Sequence, residues 1–151
     1  MKLRHSQKAF DNHGEALKAP VKVLCVDDDG LLLTSYEHTL AKEYEVYSAY
    51  NLHDARILLR QHDFAVILCD QCVAGADGVE FLNHAHECLP GCVQLLLGEP
   101  CSDKHAEPHQ VFRRLSRPLT PAILRRYIDE ARDRYYFQLA QCWLHQCLMP
   151  Q

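Results

Sequence analysis

The sequence predicts an α/β fold: a doubly wound, five-stranded parallel sheet with helices on both faces. Three observations predict it. Short apolar runs alternate with segments of helical spacing, the pattern of linked β-α-β units. The strongest runs are close to continuous in apolar residues, as strands covered on both faces are. Aspartates stand at the carboxyl ends of two of them, where open sheets of this class bind ligands. Right-handed crossovers then place helices on either face. The fourth helix is expected to be short or absent, and the last one extended.

Residues 1–19 are polar and lack apolar periodicity, so they read as a flexible tail or a short cap. Val21–Val26 is the first strand, and it runs into Asp27, Asp28, Asp29 and Gly30. Leu31 to Lys42 has helical spacing, with Leu33, Tyr36, Leu40 and Ala41 facing inward. Glu45–Ala49 alternates as a second strand, and Leu52 to Gln61 forms a second helix. Phe64–Cys69 is the most apolar strand and ends at Asp70. A loop holding Gly75 and Gly78 leads into a third helix, Val79 to Cys88, which Leu89-Pro90-Gly91 breaks. Val93–Leu97 and Val111–Leu115 are the remaining strands. The segment from Gly98 to Gln110 should hold the fourth helix, but it contains Pro100 and Pro108 and little that is apolar. Thr120 suits an N-cap and Pro121 a first helical turn, so a long helix is expected from Pro121 to about Gln146.

The chain has 151 residues, enough for one domain and too few for two full ones. Its net charge of −4 argues against a general nucleic-acid or anionic-membrane binder. No apolar run approaches the ~20 residues of a membrane span, and the basic N-terminus lacks the apolar stretch of a secretory signal. Eight cysteines, at 25, 69, 72, 88, 92, 101, 142 and 147, invite a disulfide or zinc reading. Reduced thiols in the cytoplasm fit better, because no export signal is seen. Cys69 and Cys72 form a pair with two residues between them, and His84, His86, Cys88 and Cys92 lie further on, at best a moderate zinc pattern. Cys25 and Cys69 read instead as small apolar residues inside strands.

Asp27, Asp28 and Asp70 all fall at strand carboxyl ends, so the fold brings them together. Three such carboxylates repel and raise each other's pKa. A divalent cation removes that cost, and oxygen donors suit Mg2+. A metal beside an aspartate also neutralises an incoming phosphoryl group, which leaves a carboxylate free to attack phosphorus. Helix capping explains one aspartate after the first strand. It does not explain Asp70.

These residues resemble the receiver domain of bacterial two-component response regulators, a flavodoxin-like fold. The paired Asp27 and Asp28 are similar to the family's acidic pair, and Phe64–Asp70 to the strand that delivers its phosphoacceptor. The stretch from Asp70 through Gly78 has the family's aspartate-to-glycine spacing of eight, and Arg117-Pro118-Leu119 resembles its Lys-Pro-Phe. The match covers roughly Val21 to Ala131. It implies a tail at 1–19, a receiver domain at 20–132 and a C-terminal helical extension at 133–151. It also implies that Asp70 accepts phosphate from a sensor histidine kinase or phosphotransfer protein. Asp28, Asp70 and the backbone carbonyl of Cys72 would ligate Mg2+, with Asp27 acting through a metal-bound water. Such a domain is a regulatory phosphoacceptor and not an enzyme on other substrates.

Several positions depart from the pattern. Gly98 stands where the family has Thr or Ser, so no hydroxyl can bond the phosphoryl group there. Arg117 replaces the usual Lys; it keeps the charge but is planar and longer. Arg114 takes the aromatic switch position, and Ala74 the place of the usual proline. The acidic half of the machinery is intact, and the conformational readout is expected to be weak or different.

Five arginines, at 113, 114, 117, 125 and 126, lie between Val111 and Ile128 with no acidic residue. They form either a solvated basic face or a surface for an acidic protein partner. Leu124, Ile128, Ala131, Tyr135, Gln138 and Cys142 follow a heptad-like spacing, and the aromatic-rich end of this helix either packs on its own domain, leads into an effector, or mediates a homodimer or another protein contact, the last being favoured. No output domain fits in the ~20 residues after the resembled region, so, unless the sequence is a fragment of a longer protein, output is expected through a downstream protein partner, without direct nucleic-acid or membrane binding. Two other readings compete. Asp27-Asp28-Asp29-Gly30 also fits the opening of haloacid-dehalogenase-like phosphatases, with Asp27 as nucleophile and Asp29 as acid. A pseudo-receiver, which works without phosphorylation, has the same fold.

Overall fold

The structure is a computed structural model that describes residues 20–99 and 110–149. The expected tail at 1–19 and nearly all of the segment expected to hold the fourth helix lie outside the described residues. Five parallel strands form the main sheet in the order β2-β1-β3-β6-β7. They are β1 (Val21–Val26), β2 (Tyr44–Ala49), β3 (Val66–Asp70), β6 (Val93–Leu97) and β7 (Val111–Leu115). Two short antiparallel strands, β4 (Cys72–Val73) and β5 (Ala76–Asp77), make a hairpin after β3. The helices are α1 (Gly30–Leu40), α2 (Leu52–Gln61), α3 (Gly78–Cys88) and α4 (Pro121–Leu148). This is the doubly wound sheet and extended last helix that the sequence predicts.

The near-continuous apolar runs are explained by two cores, one on each face. Successive side chains of a strand point to opposite faces. Val23, Cys25, Val66, Leu68, Leu95 and Leu97 therefore pack with α1 and α4, while Leu24, Val26, Ile67, Cys69 and Leu96 pack with α2 and α3. At about 1.5–3 kcal/mol for each large apolar side chain, the central strands anchor everything placed at their ends.

Some boundaries differ from expectation for local reasons. α1 begins one residue early because Asp29 caps it, accepting from the amides of Leu31 (3.0 Å) and Leu32 (3.4 Å). β2 begins at Tyr44, a buried residue paired opposite Val21, whose hydroxyl donates to Asp129 on α4. α4 runs to Leu148 as one helix, capped by Thr120 with Pro121 in its first turn. Its heptad-like stripe divides. Leu124, Ile128 and Ala131 are buried in the domain's own core, and Tyr135 packs against it. Beyond that, Phe137, Trp143, Leu144 and Leu148 are exposed.

Among the described residues the cysteines are not joined in disulfides. Cys25, Cys69 and Cys92 are buried, and burial pushes the Cys25 thiol up to about 12. Cys72 and Cys88 are exposed. Among the described residues, the zinc pattern is not assembled, and the metal-holding geometry belongs to three aspartates.

Candidate functional site

The site lies at the carboxyl ends of β1, β3, β6 and β7. Pairing Val26 with Cys69 and Asp70 with Leu97 brings the strand ends level. Asp27, Asp28 and Asp70 each place a carboxylate oxygen within 4.8 Å of the others. Asp27 is only 2% exposed, Asp70 is half-buried and Asp28 is exposed.

Local hydrogen bonds aim each carboxylate. Asp27 accepts from the Asp29 amide through Oδ1 at 2.9 Å. Asp28 Oδ2 accepts from the Ala74 amide at 3.1 Å, and Asp70 Oδ1 from the Cys72 amide at 3.4 Å. Arg117 follows β7 and closes the cluster: its Nη2 donates to Asp70 Oδ2 at 2.7 Å and to Asp27 Oδ2 at 3.3 Å. The Arg117-Pro118 peptide is cis.

The hairpin after β3 accounts for two sequence features. Ala74 and Gly75 have φ of 50° and 78° and join β4 to β5 in a two-residue turn. Tight hairpin turns with both central residues at positive φ match the twist of the strands. Proline, held near φ −65°, has no place at 74, and the turn aims the Ala74 amide at Asp28. The return of the chain also explains Gly78. A Cβ there would lie 2.0 Å from the Asp70 carbonyl oxygen, while the Gly78 amide donates to the Gln71 carbonyl at 2.8 Å.

Burial raises the Asp27 pKa, and the charge of Asp70 adds to the rise; the Asp29 amide and Arg117 work against it. Burial opposes the charge on Arg117, yet the carboxylates of Asp70 and Asp27 hold its guanidinium above the ordinary value. Three oxygen donors, one buried and reluctant to ionise, fit a small hard cation. Cys72, whose carbonyl the resemblance assigns to the metal, sits in β4 beside this cluster.

Asp29 is occupied as the α1 cap and stands outside the carboxylate group. The phosphatase reading needs Asp29 as the acid partner of Asp27, so the geometry disfavours it.

Gln71 is a site residue that the sequence did not single out. Its Oε1 accepts from Arg114 Nη1 at 2.8 Å, and the same nitrogen donates to the Gly98 carbonyl at 3.2 Å. Gly98 has φ 141°, and a Cβ on it would lie 3.0 Å from Gln71 Cβ. Position 98 is thus glycine for a steric and a conformational reason.

No family model matches the chain. Over 75 residues it is 37% identical to the hydrogenase transcriptional regulatory protein HoxA of Cupriavidus necator, an overlap covering 50% of this chain and 16% of that protein. It is similar in structure to a chain described as adenylate cyclase from Rhodopirellula baltica (TM-score 0.74, 23% identity, 85% of this chain and 98% of that one). It is similar also to a CheY-like response regulator receiver domain protein from Methanospirillum hungatei (TM-score 0.72, 24% identity, 80% and 99%).

Proposed function

Because this chain has the fold of a response-regulator receiver domain, we propose that it is a signalling module that accepts a phosphoryl group on Asp70. The observation that carries this reading is the gathering of Asp27, Asp28 and Asp70 within 4.8 Å, with Arg117 2.7 Å from Asp70. The donor is a sensor histidine kinase or a phosphotransfer protein. A carboxylate oxygen of Asp70 attacks phosphorus, the phosphorus–nitrogen bond of the donor's phosphohistidine breaks, and the imidazole leaves with the electron pair. Asp28, Asp70 and the Cys72 carbonyl would hold Mg2+, with Asp27 beside it. Bound there, the ion offsets the repulsion between the carboxylates and the incoming phosphoryl group. Arg117 keeps a permanent positive charge against Asp70.

Acetyl phosphate with Mg2+ should add one phosphoryl group to the wild-type chain, read by intact mass, and none to Asp70→Ala. Equal labelling of the variant would refute the assignment. A folded wild type that takes no label would favour the second reading, a phosphorylation-independent interaction domain. Gly98 supports that reading, since it offers only backbone where a hydroxyl would bond phosphate.

The module is a regulatory phosphoacceptor of the cytoplasm that acts through a downstream protein partner and contacts neither nucleic acid nor membrane directly. Among the described residues no helix is long and apolar enough to cross a membrane. The similarity to a transcriptional regulator agrees with control of gene expression as the eventual output. The basic face is partly engaged within the domain. Arg125 donates to the Thr39 carbonyl at 3.2 Å, and Arg113 lies over the Phe112 ring at 4.4 Å.

We assign self-association to the exposed end of α4, where Phe137, Trp143, Leu144 and Leu148 stand beyond the last buried turn. A chain ending at Arg134 keeps Leu124, Ile128 and Ala131 and should stay folded. Light scattering should give a dimer for the full chain and a monomer for the shortened one; the same mass per particle in both would remove the dimer role.

A further inference from the structure

Gln71 and Arg114 join three strand ends. The Gln71 backbone is pinned on both sides of the residue that follows Asp70. Its amide donates to the Leu97 carbonyl at 2.9 Å, and its carbonyl accepts from the Gly78 amide at 2.8 Å. Its side chain occupies the volume that a threonine at 98 would need, since a Cβ there would lie 3.0 Å from Gln71 Cβ and 3.2 Å from Oε1. Arg114, half-buried on β7 opposite Leu96, holds that side chain and the Gly98 carbonyl with one nitrogen. A guanidinium therefore stands where the hydroxyl and aromatic pair of the resembled family is missing, linked to the residue next to the phosphoacceptor.

We propose that Arg114 is the phosphoryl-sensing residue of this domain and that Gln71 is the latch that positions it. This rests on the reading of Asp70 as phosphoacceptor. The oxygens of Gln71 and Gly98 that Arg114 bonds are neutral acceptors. A phosphoryl group on Asp70 brings charged oxygens to the neighbouring position, and these add ion-pair attraction and a match to the planar guanidinium fork that neutral carbonyl oxygens lack. Arg114 exchanges Gln71 and Gly98 for the phosphoryl oxygens. The released Gln71 and the displaced arginine change the surface of β7, which carries the state of Asp70 outward.

The test is 15N NMR of the full chain with Mg2+ and beryllofluoride, a phosphoryl mimic. In the wild type the Arg114 Nε–Hε resonance and the amides of 111–115 should shift together with those of Asp28 and Asp70. In Arg114→Gln the shifts at Asp28 and Asp70 should remain while those along β7 shrink severalfold. Arg114→Lys, which keeps the charge, should restore part of them. Gln71→Ala should move the Arg114 resonance of the untreated protein toward its beryllofluoride position. Should Arg114→Gln fail to fold, the wild-type Arg114 resonance and the Gln71→Ala comparison still decide. Shifts at Asp70 with a silent Arg114, or an undiminished β7 response in Arg114→Gln, overturn the sensing role alone. No response at Asp28 and Asp70 in the wild type overturns the phosphoacceptor reading, and the sensing role with it.

Discussion

Gly78→Ala should be among the most damaging single substitutions in the domain, with a loss of about 3 kcal/mol, at the upper end of what overpacking costs. The added methyl would lie 2.0 Å from the Asp70 carbonyl oxygen and 3.1 Å from the Cys69 sulfur. The oxygen is backbone and cannot rotate away. Relief requires moving either the end of β3 or the first turn of α3, whose Val79, Phe81, Leu82 and Ala85 are buried in the core. For a chain of this length the loss corresponds to a fall in Tm of roughly 6–12 °C. The same movement displaces Asp70, so Mg2+ affinity should fall as well. Thermal unfolding checks the first effect and metal titration the second; an unchanged Tm would mean that the close approach relaxes without cost. Alanine at Gly91, where an added Cβ meets nothing within 4 Å, is the control.

Mg2+ at about a hundredfold excess over its Kd should stabilise the protein by about 2.7 kcal/mol through linkage alone. Asp28→Asn and Asp70→Asn should lose most of that gain, because each removes a charged oxygen from the cluster. pH sharpens the expectation. Burial raises the Asp27 pKa in the folded state above its unfolded value. Between those two values the folded state holds more protons at Asp27 than the unfolded state, so the Asp27 contribution to metal-free stability falls as pH rises through that window. The cost is fully present above the folded-state pKa, where a bound metal would offset it. Unfolding curves with and without Mg2+ should therefore diverge as pH rises from the acid side. Asp27→Asn should remove that pH-dependent cost; a variant whose metal-free stability follows the wild-type pH curve through that window would contradict the buried-carboxylate account, and no Mg2+ effect at pH 7 in the wild type would contradict the metal site.

The parts of the fold that were legible are those whose burial is two-sided. Val21–Val26 and Val93–Leu97 have the bounds expected from their apolar runs; so does Val111–Leu115, although it is an edge strand with only Leu115 fully buried. A strand covered on both faces has little freedom in composition. The convergence of Asp27, Asp28 and Asp70 was legible for a related reason: parallel strands side by side put their carboxyl ends at one edge. What a linear reading misses depends on approach through space. Asp28 and Asp29 are adjacent and chemically alike, yet one faces the cluster and the other caps a helix. β4 and β5 are two residues each, too short to show alternation. Gly98 reads as a lost hydroxyl until Gln71 is seen against it. The stripe along α4 reads as one continuous surface, but its first half is the domain's own core.

The single unbroken helix from Pro121 to Leu148 also has a mechanical consequence. Its root is wedged into the core by Leu124, Ile128 and Ala131, and the turns beyond Tyr135 extend past the last buried layer. At 1.5 Å per residue, the span from Ala131 to Leu148 is a lever of about 25 Å. A tilt of about 5° at the root moves its tip by roughly 2 Å. The stiffness of one helix would thus turn a small repacking beside the sheet into a much larger displacement of its exposed end.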